Sequence, residues 1–228
     1  MTLAWDKIKT ECESSPVIGV AFDRLNYNFS RVNNLLSLYK ETSKKQRGRV
    51  LVHQADILRS AVVLMHAMLE DCLRTIASHY LPLSKEDYLS KIPLHGLNNS
   101  GRPEKFHLSE LAKFKGMTVD QVISASVSSH LDRTSFNNVA DITNLLQSLD
   151  VNTKELADFL PTLESMISRR HQIVHRGDRV EKPGKGKQYA ESIRLSVVEK
   201  WAHNAHEFLA RVFFSLIGED QGVSIRFT

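Results

Sequence analysis

The sequence predicts an all-α protein. Long segments repeat apolar residues every three to four positions, and no segment shows the period-two alternation of a strand. Only 10 glycines and 6 prolines occur among 228 residues, too few for a fold dense in tight turns. Hydrophobic residues make up 42% and charged residues 25%, which excludes a disordered chain. No run reaches the roughly 18 to 20 apolar residues of a membrane span, and the best candidate, 61–69, is interrupted by His66. The opening MTLAWDKIKTECESS lacks the apolar core of a secretory signal. Its cysteine pair, Cys12 and Cys72, reads as reduced thiols, so a cytoplasmic chain is expected.

The elements follow in order. From Ile18, apolar residues recur at Phe22, Leu25, Phe29, Val32, Leu36 and Tyr39. A second stripe runs through Leu51, Ala55, Leu58, Val62, Met65, Leu69, Cys72 and Ile76. Both suit long helices, and the short basic connection between them favours an antiparallel hairpin. Pro82 stops the second helix, and 82–108 reads as a loop with at most one helical turn. Thr118 with Gln121 makes a capping-box spacing before the next helix, and Asn152 with Glu155 makes another. A short helix lies between them. Pro161 fits a kink or the first turn of a helix that ends at Gly177. Ser196 and Glu199 are the expected capping box of the last helix, whose stripe is Val198, Trp201, Ala205, Phe208 and Val212.

Charge is concentrated. Net charge is +4, yet Arg169, Arg170, Arg176, Arg179, Lys182, Lys185 and Lys187, opposed by Asp178 and Glu181, give a local +5. Such a cluster attracts polyanions, nucleic acid first. A second cluster, Lys40 to Arg49, reads as a solvated linker.

Motifs of common enzymes are absent: no P-loop, no G-x-G-x-x-G, no G-x-S-x-G, no CxxC pair. His203 and His206 lack a neighbouring Cys or Asp to complete a metal site. The segment Ser168 to Asp178 stands out, with His171 and His175 among Arg169, Arg170 and Arg176 at a helix end. An imidazole such as that of His175, at a helix end beside arginines, is a residue type suited to proton transfer. Arginine donates a planar fork to a phosphodiester. On composition alone, a helix C-terminus carrying cations for dipole reasons is the simpler reading.

Arg170-His171-Gln172-Ile173-Val174-His175 resembles the R-x4–6-H motif of HEPN domains (higher eukaryotes and prokaryotes nucleotide-binding), including a polar residue directly after the arginine. RRHQIVHRGD is similar to the RiboL-PSP-HEPN subgroup, as are the helix bearing Leu69-Glu70, the segment SFNNVADITNLLQSLDV and the closing helix LSVVEKWAHNAHEFLARVF. The likeness covers residues 48–217. It leaves 1–47 as an N-terminal helical segment packing on the bundle and 218–228 as a C-terminal tail.

The resemblance implies a dimerising helical bundle and a metal-independent endoribonuclease without cofactor, serving toxin–antitoxin or anti-phage defence. Arg170 and His175 would be the catalytic pair and His171 the polar accessory. Glu70 would either buttress the arginine or be solvated. Arg169, Arg176, Arg179, Lys182, Lys185 and Lys187 would contact RNA. Expected partners are RNA, a second copy of the chain and an antitoxin or defence-system protein. The alternative is a non-catalytic module for RNA or nucleotide binding and dimerisation, as some family members are.

At 100° per residue, Arg170 and His175 point roughly 140° apart on a straight helix. Either the helix breaks before His175, or two chains share one site across a two-fold axis. The two long stripes, with Phe213, Phe214 and Leu216, offer more apolar surface than a thin bundle covers, which favours a homodimer.

Overall fold

Two long helices, of 28 and 29 residues, frame the molecule because their apolar stripes run for more than 20 residues each. In the computed structural model, which describes residues 10, 16–44, 51–95, 108–180 and 190–223, α1 spans Pro16–Ser43 and α2 spans Val52–Tyr80. They form the expected antiparallel hairpin. Its connected end is tied by Gln54, almost fully buried, whose Oε1 accepts the Leu51 N–H at 2.9 Å while Nε2 donates to the Thr42 carbonyl at 3.0 Å. One amide thus serves groups at the end of α1 and the start of α2.

Pro82 sits in a 3-10 turn, Leu81–Leu83, that ends α2, and a single helical turn, α3 (Glu86–Leu89), follows. A 3-10 helix at Leu108–Phe114 had no periodicity to announce it. Thr118 and Gln121 close their capping box on α4 (Val119–Arg133), and Asn138 caps α5 (Val139–Ser148) through the Asp141 N–H at 2.8 Å. The Asn152–Glu155 pair caps a 3-10 helix, Thr153–Phe159, rather than an α-helix. It leads directly into α6 (Leu160–Arg176), with Pro161 in its first turn, where a missing N–H costs nothing. The last helix, α7, spans Leu195–Val223. The expected Ser196 cap is not used: Arg194 already offers its carbonyl to the Val197 and Val198 N–H groups, so Ser196 lies inside the first turn. No proline interrupts 218–223, and that stretch continues the helix where a tail was expected. Among the described residues the only strand-like pairing is one antiparallel bridge, Arg179 to Ala190.

The core lies between α1, α2, α6 and α7. Ile18, Phe22, Leu25, Val32, Leu36 and Tyr39 of α1 are buried, as are Leu58, Val62, Met65, Leu69 and Ile76 of α2 and Val198, Ala205, Phe208 and Val212 of α7. Phe22 meets Phe213 edge-on at 5.7 Å. Each large apolar side chain so buried contributes about 1.5–3 kcal/mol. The stripes are therefore covered within one chain, and of the three aromatic and aliphatic residues near the end only Phe214 is exposed. The apolar-surface argument for a dimer loses its basis; the geometric argument from α6 does not. Cys72 packs as a small hydrophobe, and burial pushes its thiol up, well away from thiolate chemistry.

Candidate active site

Helix α6 changes character along its length. Leu163, Met166 and Ile167 bury its inner face in the core, and beyond Ile167 the sequence turns to arginine and histidine. The helix then runs without a break to Arg176, so the arginine and histidine of the R-x4-H string stay on different faces. Gly177, at φ 59°, takes the left-handed conformation that ends the helix, and Asp178 follows at φ 55° while its N–H bonds back to the Gln172 carbonyl at 3.1 Å. A Cβ at 177 would meet no neighbour, so glycine is favoured there by backbone strain alone.

The two histidines of the string come together. His171 and His175, four residues apart and both exposed, place their rings 4.6 Å centroid to centroid at 46°. They line an open cleft of about 1030 Å³ with Ser168, Gln172, Arg176 and Arg179, joined by Val180 and Glu191. The cleft is open and largely cationic. Gln172 donates to Glu191 Oε2 at 2.7 Å, holding that carboxylate at the rim.

Arg170 points elsewhere. Its Nη1 donates to Asn137 Oδ1 at 3.2 Å, in the turn before α5. Glu70 is neither solvated nor paired directly with it. Instead Glu70 Oε1 accepts the Phe136 N–H at 3.1 Å, fixing the turn that presents Asn137 to Arg170. Arg74 donates to the Leu131 and Thr134 carbonyls of the same turn. His66, 1% exposed, lies beside this group with Nε2 3.1 Å from the Phe136 carbonyl. Burial lowers its pKa, Glu70 opposes that, and the nearby Arg170 charge lowers it further, so the imidazole is neutral and donates to that carbonyl.

Arg169 is committed to structure. Its Nη2 donates to Asp178 Oδ2 at 2.9 Å and to the Glu191 and Ser192 carbonyls, and its side chain is only 12% exposed. Arg59 of α2 reaches the same carboxylate oxygen and also donates to the Glu191 carbonyl at 2.8 Å. Asp178 closes the set by accepting the Glu191 N–H on its own carbonyl at 2.8 Å. A buried carboxylate with two guanidiniums thus clamps the end of α6 and the return segment at 190–192 onto α2. Sequence reasoning had counted Asp178 only as opposing charge and had not noticed Arg59; the visible signal was an arginine placed beside Leu58 on a buried stripe. Arg176 and Arg179 remain exposed at the cleft, whereas Lys182, Lys185, Lys187 and the Lys45 to Arg49 part of the other basic cluster lie outside the described residues. Among the described residues no three His, Cys, Asp or Glu side chains gather as a metal site.

Compared with protein families, the chain matches RiboL-PSP-HEPN over residues 23–219. The chain belongs to that family. The match begins inside α1, so this RiboL-PSP-HEPN match takes in residues 23–43 of the first hairpin helix. Comparison with curated proteins and with solved structures finds no match. As a HEPN-type domain the chain is RNA-related, and none of its described helices is long and apolar enough to cross a membrane.

Proposed function

We propose that this RiboL-PSP-HEPN chain is a metal-independent endoribonuclease acting in toxin–antitoxin or anti-phage defence. The observation that carries the reading is the exposed His171–His175 pair in a cleft whose other charged walls include Arg176 and Arg179. RNA holds its own nucleophile. The 2′-oxygen attacks the adjacent phosphorus and loses its proton to an imidazole, the bond from phosphorus to the 5′-oxygen breaks, and the departing oxygen takes a proton. Products carry a 2′,3′-cyclic phosphate and a 5′-hydroxyl, and no water is consumed. His175 moves these protons with His171 beside it, and guanidinium groups stabilise charge on the phosphoryl oxygens.

Arg170 cannot join His175 in its own chain, because an unbroken helix holds them about 140° apart. It completes the site from a second copy, whose two-fold axis brings the two α6 ends together. Two cationic segments repel, but screening over about 8 Å at physiological salt softens this and a bound RNA backbone reverses its sign.

The test is incubation of purified protein with total RNA and with DNA of matching sequence, both in EDTA. Cleavage of RNA with cyclic-phosphate ends, undiminished by EDTA and lost in His175→Ala, is expected. Cleavage of DNA at a comparable rate would sink the mechanism, since DNA lacks the 2′-hydroxyl. Binding of RNA without cleavage, with wild type and His175→Ala equally harmless to growing bacteria, would replace it with the binding-module reading.

A further inference from the structure

The His171–His175 pair has a second chemical capability. Imidazole nitrogen is a good ligand for Zn2+, Ni2+ and Cu2+. Two histidines four apart on a helix face can share one ion. Two imidazoles bound to one ion at about 2.0–2.1 Å stand with ring centroids roughly 5 Å apart. The rings already stand 4.6 Å apart, close to that spacing. Both are exposed, on a helix held rigid by the Asp178 clamp, and the cleft gives an ion open access. We propose that His171 and His175 chelate one divalent transition-metal ion such as Zn2+, and that the bound ion switches off chemistry in the cleft.

The rest of the site sets how firmly the ion sits. Arg176 and Arg179 line the cleft and oppose a cation, while the Glu191 carboxylate is engaged by Gln172 at 2.7 Å and Arg169 at 3.3 Å. With no third ligand in place among the described residues, the remaining coordination positions go to water or a phosphate oxygen. Structural zinc sites are closed by four protein ligands; this one is two-sided and removable. The other close histidines, His203 and His206, do not compete, because His206 is half-buried with its ring packed on Phe29 at 4.6 Å. Inhibition follows from valence: a lone pair bound to metal cannot accept a proton. The binding rests on the two rings alone, whereas the switch rests on the ribonuclease reading.

Titration of EDTA-stripped, dialysed protein with Zn2+ alone tests the site by calorimetry. One ion per chain is expected. Loss of a ligand should weaken binding at least as much as loss of a supporting partner does, about tenfold or more, for His171→Ala and for His175→Ala. Circular dichroism checks that the variants, both at exposed positions, remain folded. Equal affinity in the His171→Ala/His175→Ala double variant, or no binding by wild type, overturns the site. In parallel, Zn2+ should abolish RNA cleavage and EDTA should restore it. Binding at the pair with cleavage unchanged overturns the switch but leaves the site. Metal binding by a protein that cuts no RNA when stripped refutes the ribonuclease reading and leaves the site.

Discussion

Arg59 and Asp178, 119 residues apart in the chain, meet with Nε 2.6 Å from Oδ2. Arg169 takes the same oxygen, and Asp178 itself is 1% exposed, so one buried carboxylate is shared by two guanidiniums that are each 12% exposed. Among the described residues, the second carboxylate oxygen, Oδ1, is buried without a hydrogen-bond partner, as is Arg169 Nε.

Asp178→Ala removes the buried carboxylate that the two arginines share, leaving Arg59 only the exposed Asp56 and Arg169 only the exposed Glu191, and loosens the hold on 190–192. Breaking a buried pair by deleting one partner costs about 3–5 kcal/mol. Urea unfolding should show a loss of that order. A loss below about 1 kcal/mol would mean that the clamp contributes little.

Acid sensitivity is expected from His66. Its pKa is lowered from 6.5, first by burial and further by Arg170, against the pull of Glu70 and the Phe136 carbonyl. An unfolded imidazole takes its proton near 6.5 while the folded one resists, so below that pH the unfolded state binds more protons. Stability is then full above 6.5 and lost as pH falls, until the folded imidazole itself titrates. One such group contributes a slope of at most about 1.4 kcal/mol per pH unit. His66→Gln, neutral at every pH and still a donor, should unfold with a flatter dependence between pH 7 and 5 than wild type. Parallel slopes would remove His66 from the account.

RNA affinity should fall steeply with salt. Each phosphate contact on a single strand contributes about −0.7 to the slope of log K against log salt. Arg176→Ala and Arg179→Ala should each flatten that slope by roughly this amount, read by fluorescence anisotropy at several salt concentrations. Arg169→Ala should instead lower stability, since its charge is already held by Asp178. An unchanged slope in both exposed-arginine variants would place RNA elsewhere.

Mixing chains tests the shared site. Arg170→Ala and His175→Ala proteins, each inactive alone, should regain cleavage when co-refolded, because a heterodimer contains one site with both groups intact. A monomer that cleaves at full rate would rule the arrangement out.

The fold was legible because period and punctuation agreed: the stripes of α1 and α2, Pro82, the Thr118 box and Gly177 all lie where their patterns place them. The Ser196 cap failed because a capping spacing cannot reveal that Arg194 already serves the first turn. In the site, the α6 string was visible as chemistry, but its geometry was only half visible. Helical arithmetic parts Arg170 from His175 and unites His171 with His175, yet it cannot reveal that Asn137 receives the arginine or that Asp178 fastens the helix end to Arg59. Asn137 lies 33 residues from Arg170 and Arg59 lies 119 from Asp178, and of these only Arg59, set beside Leu58 on a buried stripe, carried a local signal.

The clamp also fixes when the histidine cleft can exist during synthesis. Its walls run from Ser168 to Glu191, and they are secured to Arg59 only once the Glu191 main chain has paired with Asp178 and Arg59. A nascent chain that has emerged only as far as α6 carries both imidazoles but not the frame that aims them. Completion of the cleft is therefore timed to the emergence of the 190–192 segment, just before α7, and needs none of that last helix.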